Sequence, residues 1–67
     1  MFVNVDQQLG TRWERIANHV DVLEFFPDRY EREVALAELK RAGFYVGRMH
    51  LYGSVAVPVV RLTVDKD

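Results

Sequence analysis

The sequence predicts an α+β domain in the order β-α-α-β-β, a three-stranded antiparallel sheet with two helices packed on one face. Three observations carry this. Apolar and polar residues alternate near the start and again in the last third, which is the period of a half-buried strand. Between those runs the apolar spacing is helical, and Gly53-Ser54 separates two alternating stretches as a hairpin turn does. Strands apart in sequence with helices between them pack most simply as two layers around one core.

Phe2 to Asp6 alternates and reads as the first strand, followed by a turn over Gln7-Gln8-Leu9-Gly10. Thr11 and Glu14 then fit a capping box, with the Thr11 hydroxyl reaching the amide three residues on. Trp13, Ile16, Ala17, Val20 and Leu23 fall on one helical stripe, so a first helix is expected to about residue 23, with Trp13 in the core and His19 on its polar flank. Residues 20–25 also read as a short strand. The helix is preferred because the stripe persists through Leu23 and Pro27 supplies a stop.

Asp28 opens the second helix, with Glu31 near its positive end and Lys40 and Arg41 at its negative end. Gly43 suits the left-handed residue that closes many helices. This helix is apolar on two sides: Tyr30, Val34 and Ala37 on one, Ala35, Leu36, Leu39 and Ala42 on the other. Such a helix lies between two layers or touches a partner.

The hairpin from Phe44 has a register fixed by its turn. Tyr52 faces Val55, His50 faces Val57, Arg48 faces Val59 and Val46 faces Arg61. One face would put Tyr45, Met49, Leu51, Ala56, Val60 and Leu62 in the core, and the other would show Arg48, His50, Tyr52 and Arg61. Pro58 places the last strand at an edge or at a bulge, Gly47 marks a second bulge, and residues 65–67 read as a frayed tail.

Size and composition bound the function. The 67 residues make one domain, and with no cysteine there is neither a disulfide nor a thiolate metal site. A single core of this size supplies roughly 3–5 kcal/mol, so self-association into a homodimer is an open expectation. No run approaches the ~18 apolar residues of a membrane span. Met1 leads straight into the first strand without a signal-like segment, so an intracellular, cytoplasmic protein is expected. Two histidines 31 positions apart give no metal spacing, and no cofactor, glycine-rich phosphate loop or paired carboxylate marks a catalytic site. The chain is not expected to be an enzyme.

What remains is charge and aromatics. From Asp21 to Glu38 six acids stand against Arg29 and Arg32, whereas from Leu39 to Val64 there is no acid at all and Lys40, Arg41, Arg48 and Arg61 stand alone. Segregated charge selects partners where a net charge of −1 would not. Phe25, Phe26 and Tyr30 cluster at a helix break and either close the core or form an aromatic anchor. The candidate protein-binding residues are thus Phe25, Phe26, Tyr30, Arg48, His50, Tyr52 and Arg61. The expected function is a non-catalytic interaction module that docks on a larger protein as an inhibitor, adaptor or accessory subunit, in the manner of phage-encoded inhibitors of host machinery. The alternative is a nucleic-acid-binding regulator using Lys40, Arg41, Arg48, His50 and Arg61, although four cations and a His are few for phosphate neutralisation. A structural homodimer is the third reading.

Leu39-Lys40-Arg41-Ala42-Gly43-Phe44, followed by Gly53-Ser54 and Val57-Pro58-Val59, resembles the order in small HicA-type RNA-cleaving toxins. The turn here reads Gly53-Ser54-Val55, with valine where that pattern carries its catalytic histidine, and the first 27 residues have no counterpart. The chain is therefore not assigned to that family. The resemblance implies an RNA-binding fold and so bears on the nucleic-acid alternative alone.

Overall fold

The computed structural model describes residues 1–66. Its elements are β1 (Phe2–Leu9), β2 (Arg12–Asp21), α1 (Val22–Phe25), α2 (Arg29–Ala42), β3 (Phe44–Tyr52) and β4 (Val55–Val64). The four strands form one antiparallel sheet in the order β2-β1-β4-β3. The fold is α+β, but the expected three-stranded sheet in β-α-α-β-β order is corrected: two hairpins bracket the two helices. Residues 12–21, read as helix from their spacing, are a strand.

The physical reason lies in two irregularities of β2. Its register against β1 shifts between Val5↔Ala17 and Asp6↔Arg15, which leaves Ile16 as an extra residue, and again between Val3↔Val20 and Val5↔Ala17. His19 takes φ 56 at the second shift, and its N–H donates to the Asn4 side-chain oxygen at 3.1 Å. Each bulge interrupts the alternation. As a result Ile16, Ala17 and Val20 all pack on the core, at a spacing that imitates a helix. Gly10 (φ 62) and Thr11 form the β1–β2 turn in place of a helix cap, with glycine first as at Gly53 (φ 64).

The disputed stretch 20–26 divides: Val20 and Asp21 finish β2, and Val22–Phe25 make a one-turn helix. The Asp21 carboxylate caps it by accepting from the Leu23 N–H at 3.0 Å. At α2 the Asp28 carboxylate accepts from the Tyr30 N–H at 2.9 Å, and left-handed Gly43 (φ 84) donates to the Leu39 carbonyl at 2.9 Å.

The β3–β4 register has the pairs expected from the Gly53-Ser54 turn, including Val46↔Arg61 and His50↔Val57. Its faces do not. As far as Arg48 the alternation holds, with Gly47 buried and Val46 and Arg48 exposed. Met49 then takes φ 58 and leaves the pleat, so His50 turns inward beside Val57 while Met49, Leu51 and Ala56 are exposed. Nor is β4 an edge strand. It lies between β1 and β3, and Pro58 is tolerated because the β3–β4 ladder skips Met49 and Pro58 and β1 pairs with β4 only over Val60–Val64, so no ladder bond needs its missing N–H. Gly47 pairs regularly with Val60 and is no bulge; the irregular step is at Met49 and Pro58. Asp65 donates its N–H to the Phe2 carbonyl at 3.0 Å, so the expected frayed tail does not include Asp65, and Asp67 lies outside the described residues.

The core sits between the sheet and the helices. Val3 and Val5 of β1, Val57, Val60 and Leu62 of β4, Val22, Phe25 and Phe26 near α1, and Ala35 and Leu39 of α2 are all buried. Among the described residues no layer covers the opposite face of the sheet.

Candidate functional site

The seven residues singled out from sequence fall in three places. Phe26 is 1 % exposed and Phe25 is 8 % exposed, with rings edge-on at a centroid distance of 4.9 Å. They close the core where α1 meets the second hairpin. His50 joins them from β3, 7 % exposed, with its ring 5.4 Å from that of Phe26 and its Nε2 3.5 Å from the Glu31 carboxylate. That placement corrects the expectation that His50 stands on the solvent face. The cause is the backbone turn at Met49. Tyr45, beneath the same cluster, has its hydroxyl pushed above the usual tyrosine range by burial and by the neighbouring Glu31 carboxylate.

Arg61 lies on the uncovered face of the sheet, where it is held on both sides. The Asp6 carboxylate, almost fully buried, accepts from Arg15 Nε at 2.7 Å and from an Arg61 terminal nitrogen at 3.2 Å. The Arg61 guanidinium carbon stacks 4.4 Å from the centre of the Trp13 ring, so Trp13 belongs to this face and not to the core beneath the helices. One carboxylate thus organises two arginines and an indole into a cross-strand network. Arg61 is structural in the first instance.

Arg48 is exposed and makes no ion pair among the described residues. Tyr52 is partly exposed near Phe25, and Tyr30 projects from the first turn of α2 with 77 % of its surface in solvent. Lys40 and Arg41 are exposed on the last turn of α2, with Arg41 bound to Glu38. Arg48, His50 and Arg61 therefore do not form one patch, and the cations of the nucleic-acid reading are spread over separate surfaces.

Sequence reasoning placed Met49 and Leu51 in the core, yet they are 77 % and 70 % exposed. Phe44, Val46 and Val55 of the same hairpin are exposed as well, Phe44 and Val46 on the uncovered face of the sheet and Val55 beside the turn opposite Tyr52. The signal that would have found them is the density of apolar residues in the hairpin, which exceeds what one buried face of alternating positions can take. At the hairpin's tip an open groove of about 580 Å³ lies between Leu51, Tyr52 and Phe25 on one side and Phe2, His19 and Asp21 on the other. On its wall the Phe2 ring stacks on His19 at 4.1 Å, with His19 Nδ1 2.9 Å from the Asp65 carboxylate.

Among the described residues, no three His, Asp or Glu side chains converge as metal ligands, and no helix is long and apolar enough to cross a membrane. No protein-family model matches the chain, and neither curated proteins nor solved structures give a match.

Proposed function

We propose that the protein is a non-catalytic interaction module whose docking surface is the second hairpin, and that it serves a larger protein as an inhibitor, adaptor or accessory subunit. The observation that supports this reading is the number of large apolar side chains that the second hairpin of a 67-residue chain leaves in solvent: Phe44, Val46, Met49, Leu51 and Val55. A monomer of this size has little reason to keep so many of them exposed on one hairpin unless another surface covers them. Phe25, Phe26 and His50 hold the hairpin from beneath, while Arg48 and Tyr52 give it polar features that select a partner.

The nucleic-acid alternative is less well supported. Of its residues His50 is buried, Arg61 is tied to Asp6, and Lys40 and Arg41 sit on the helix layer. Phosphate binding draws its affinity from many convergent cations. The test is crosslinking capture from the lysate of the source cells, with wild-type protein and Leu51→Asp compared by mass spectrometry. A protein captured by wild type and lost with Leu51→Asp is the expected result. Capture that is identical for both, or only nucleic acid that dissociates in salt, would overturn the reading.

A further inference from the structure

The sheet has two edges, and they are built differently. The β2 edge carries Arg12, Glu14, Arg15 and Asp21 and is broken by two bulges, the usual means of keeping an edge from pairing with another chain. The β3 edge carries a single charge, Arg48, among Phe44, Tyr45, Val46 and Gly47. It pairs with β4 on one side and, among the described residues, with no strand on the other.

The direction of its free backbone groups follows from one hydrogen bond. The Val64 N–H donates to the Gly43 carbonyl at 3.2 Å across the β3–β4 seam. Alternation from that point turns Tyr45 and Gly47 toward β4, and Phe44, Val46 and Arg48 direct their N–H and C=O groups outward. The free stretch is five residues long, close to a common strand length, and ends at the kink of Met49. Above it lies the flank of α2 that bears Glu31, which reaches His50 of β3. Tyr30 and Val34, one turn apart on that side of the helix, are exposed there. With Ala37 they make up one of the two apolar sides read from the sequence, for which a second layer or a partner is expected.

We propose that the β3 edge is a strand-acceptor site: an extended segment of a partner protein adds to Phe44–Arg48 as a fifth strand. Its helix-side residues are apolar and lie beneath Tyr30 and Val34, and an acidic residue on its other face pairs with Arg48. The inference rests on the interaction-module reading and specifies how that module binds. Charge complementarity fixes the chemistry of the occupant. From Leu39 to Val64 the chain has no carboxylate, and Arg48 has no ion-pair partner among the described residues. A second copy of β3 would bring no carboxylate to Arg48, whereas an acidic, apolar strand supplies both the backbone bonds and the countercharge.

The probe is a displayed library of random dodecapeptides selected on the wild-type protein. Enriched peptides are expected to alternate apolar and acidic residues without internal proline. They should lose at least tenfold in affinity on Val46→Pro, which removes an outward N–H and leaves the β4 ladder intact, and keep it on Val46→Thr. Arg48→Glu, at an exposed side chain, should weaken the same peptides at least tenfold and carries the test if Val46→Pro does not fold. Four results would overturn the proposal: no enriched peptide, peptides indifferent to both variants, an oligonucleotide bound at β3 in their place, or a dimer in light scattering abolished by Val46→Pro. If the lysate partner is lost with Leu51→Asp but held by Val46→Pro and Arg48→Glu, the module stands and the strand-acceptor site falls.

Discussion

Gly47→Ala tests how the second hairpin is seated. A Cβ built on Gly47 lies 2.3 Å from His50 Nε2, 2.9 Å from His50 Cδ2 and 3.0 Å from Tyr45 Cε2. Ordinary contact needs about 3.5 Å, so the imidazole must retreat by about 1 Å. It has little room, since the ring is buried against Phe25 and Phe26. Overpacking of this kind costs about 1–3 kcal/mol. In a chain this small each kcal/mol lowers the melting temperature by roughly 4–8 °C. The backbone itself accepts alanine, because Gly47 pairs regularly with Val60 and has no positive φ. In a His50→Ala background the same substitution should therefore become neutral or stabilising, since alanine in a strand gains about 0.5–1 kcal/mol over glycine. Thermal unfolding of the four proteins in this double-mutant cycle is the assay. An equal cost of Gly47→Ala in both backgrounds would refute the placement of His50 over Gly47.

Other substitutions separate core from surface. Phe26→Asp buries a carboxylate at a position 1 % exposed and should leave the chain unfolded by circular dichroism at 25 °C, whereas Tyr30→Asp, on an exposed side chain, should not. Asp6→Ala strands Arg15 and Arg61 together and should destabilise by about 1–3 kcal/mol in urea titration, more than Glu33→Ala at the exposed i,i+4 pair with Arg29. Tyr45 binds its proton more tightly folded than unfolded, so its contribution is present below pH 10 and is lost as pH rises through its raised folded value. Tyr45→Phe should flatten the fall in stability above pH 10.

The parts of the fold legible in the sequence are those governed by local chemistry. Asp28 and Gly43 mark the two ends of α2, and Gly53-Ser54 fixes the register of β3 on β4. The first hairpin was missed although Gly10-Thr11 carries the same glycine-first signal, because the bulges at Ile16 and His19 give β2 a helical apolar spacing. Helix against strand at Trp13 to Val20 is settled by pairing with β1, which is a long-range contact and not a pattern within the segment. The candidate site was half legible for a similar reason. Arg48, Tyr30 and Tyr52 are at the surface, but His50 turns inward at a positive φ that methionine rarely adopts and nothing in the local sequence announces. The acid-free run from Leu39 to Val64 retains its meaning in a narrower form, as an edge strand whose single charge is an arginine without an ion-pair partner among the described residues.

Amide hydrogen exchange along β3 tests the open edge most directly. In the free protein the amides of Phe44, Val46 and Arg48 should exchange fast while those of Tyr45 and Gly47, bonded to β4, are protected; a bound acidic, apolar peptide should then slow the first set. Protection at Phe44, Val46 and Arg48 in the free protein, or no change there on peptide binding, would contradict a strand-acceptor edge.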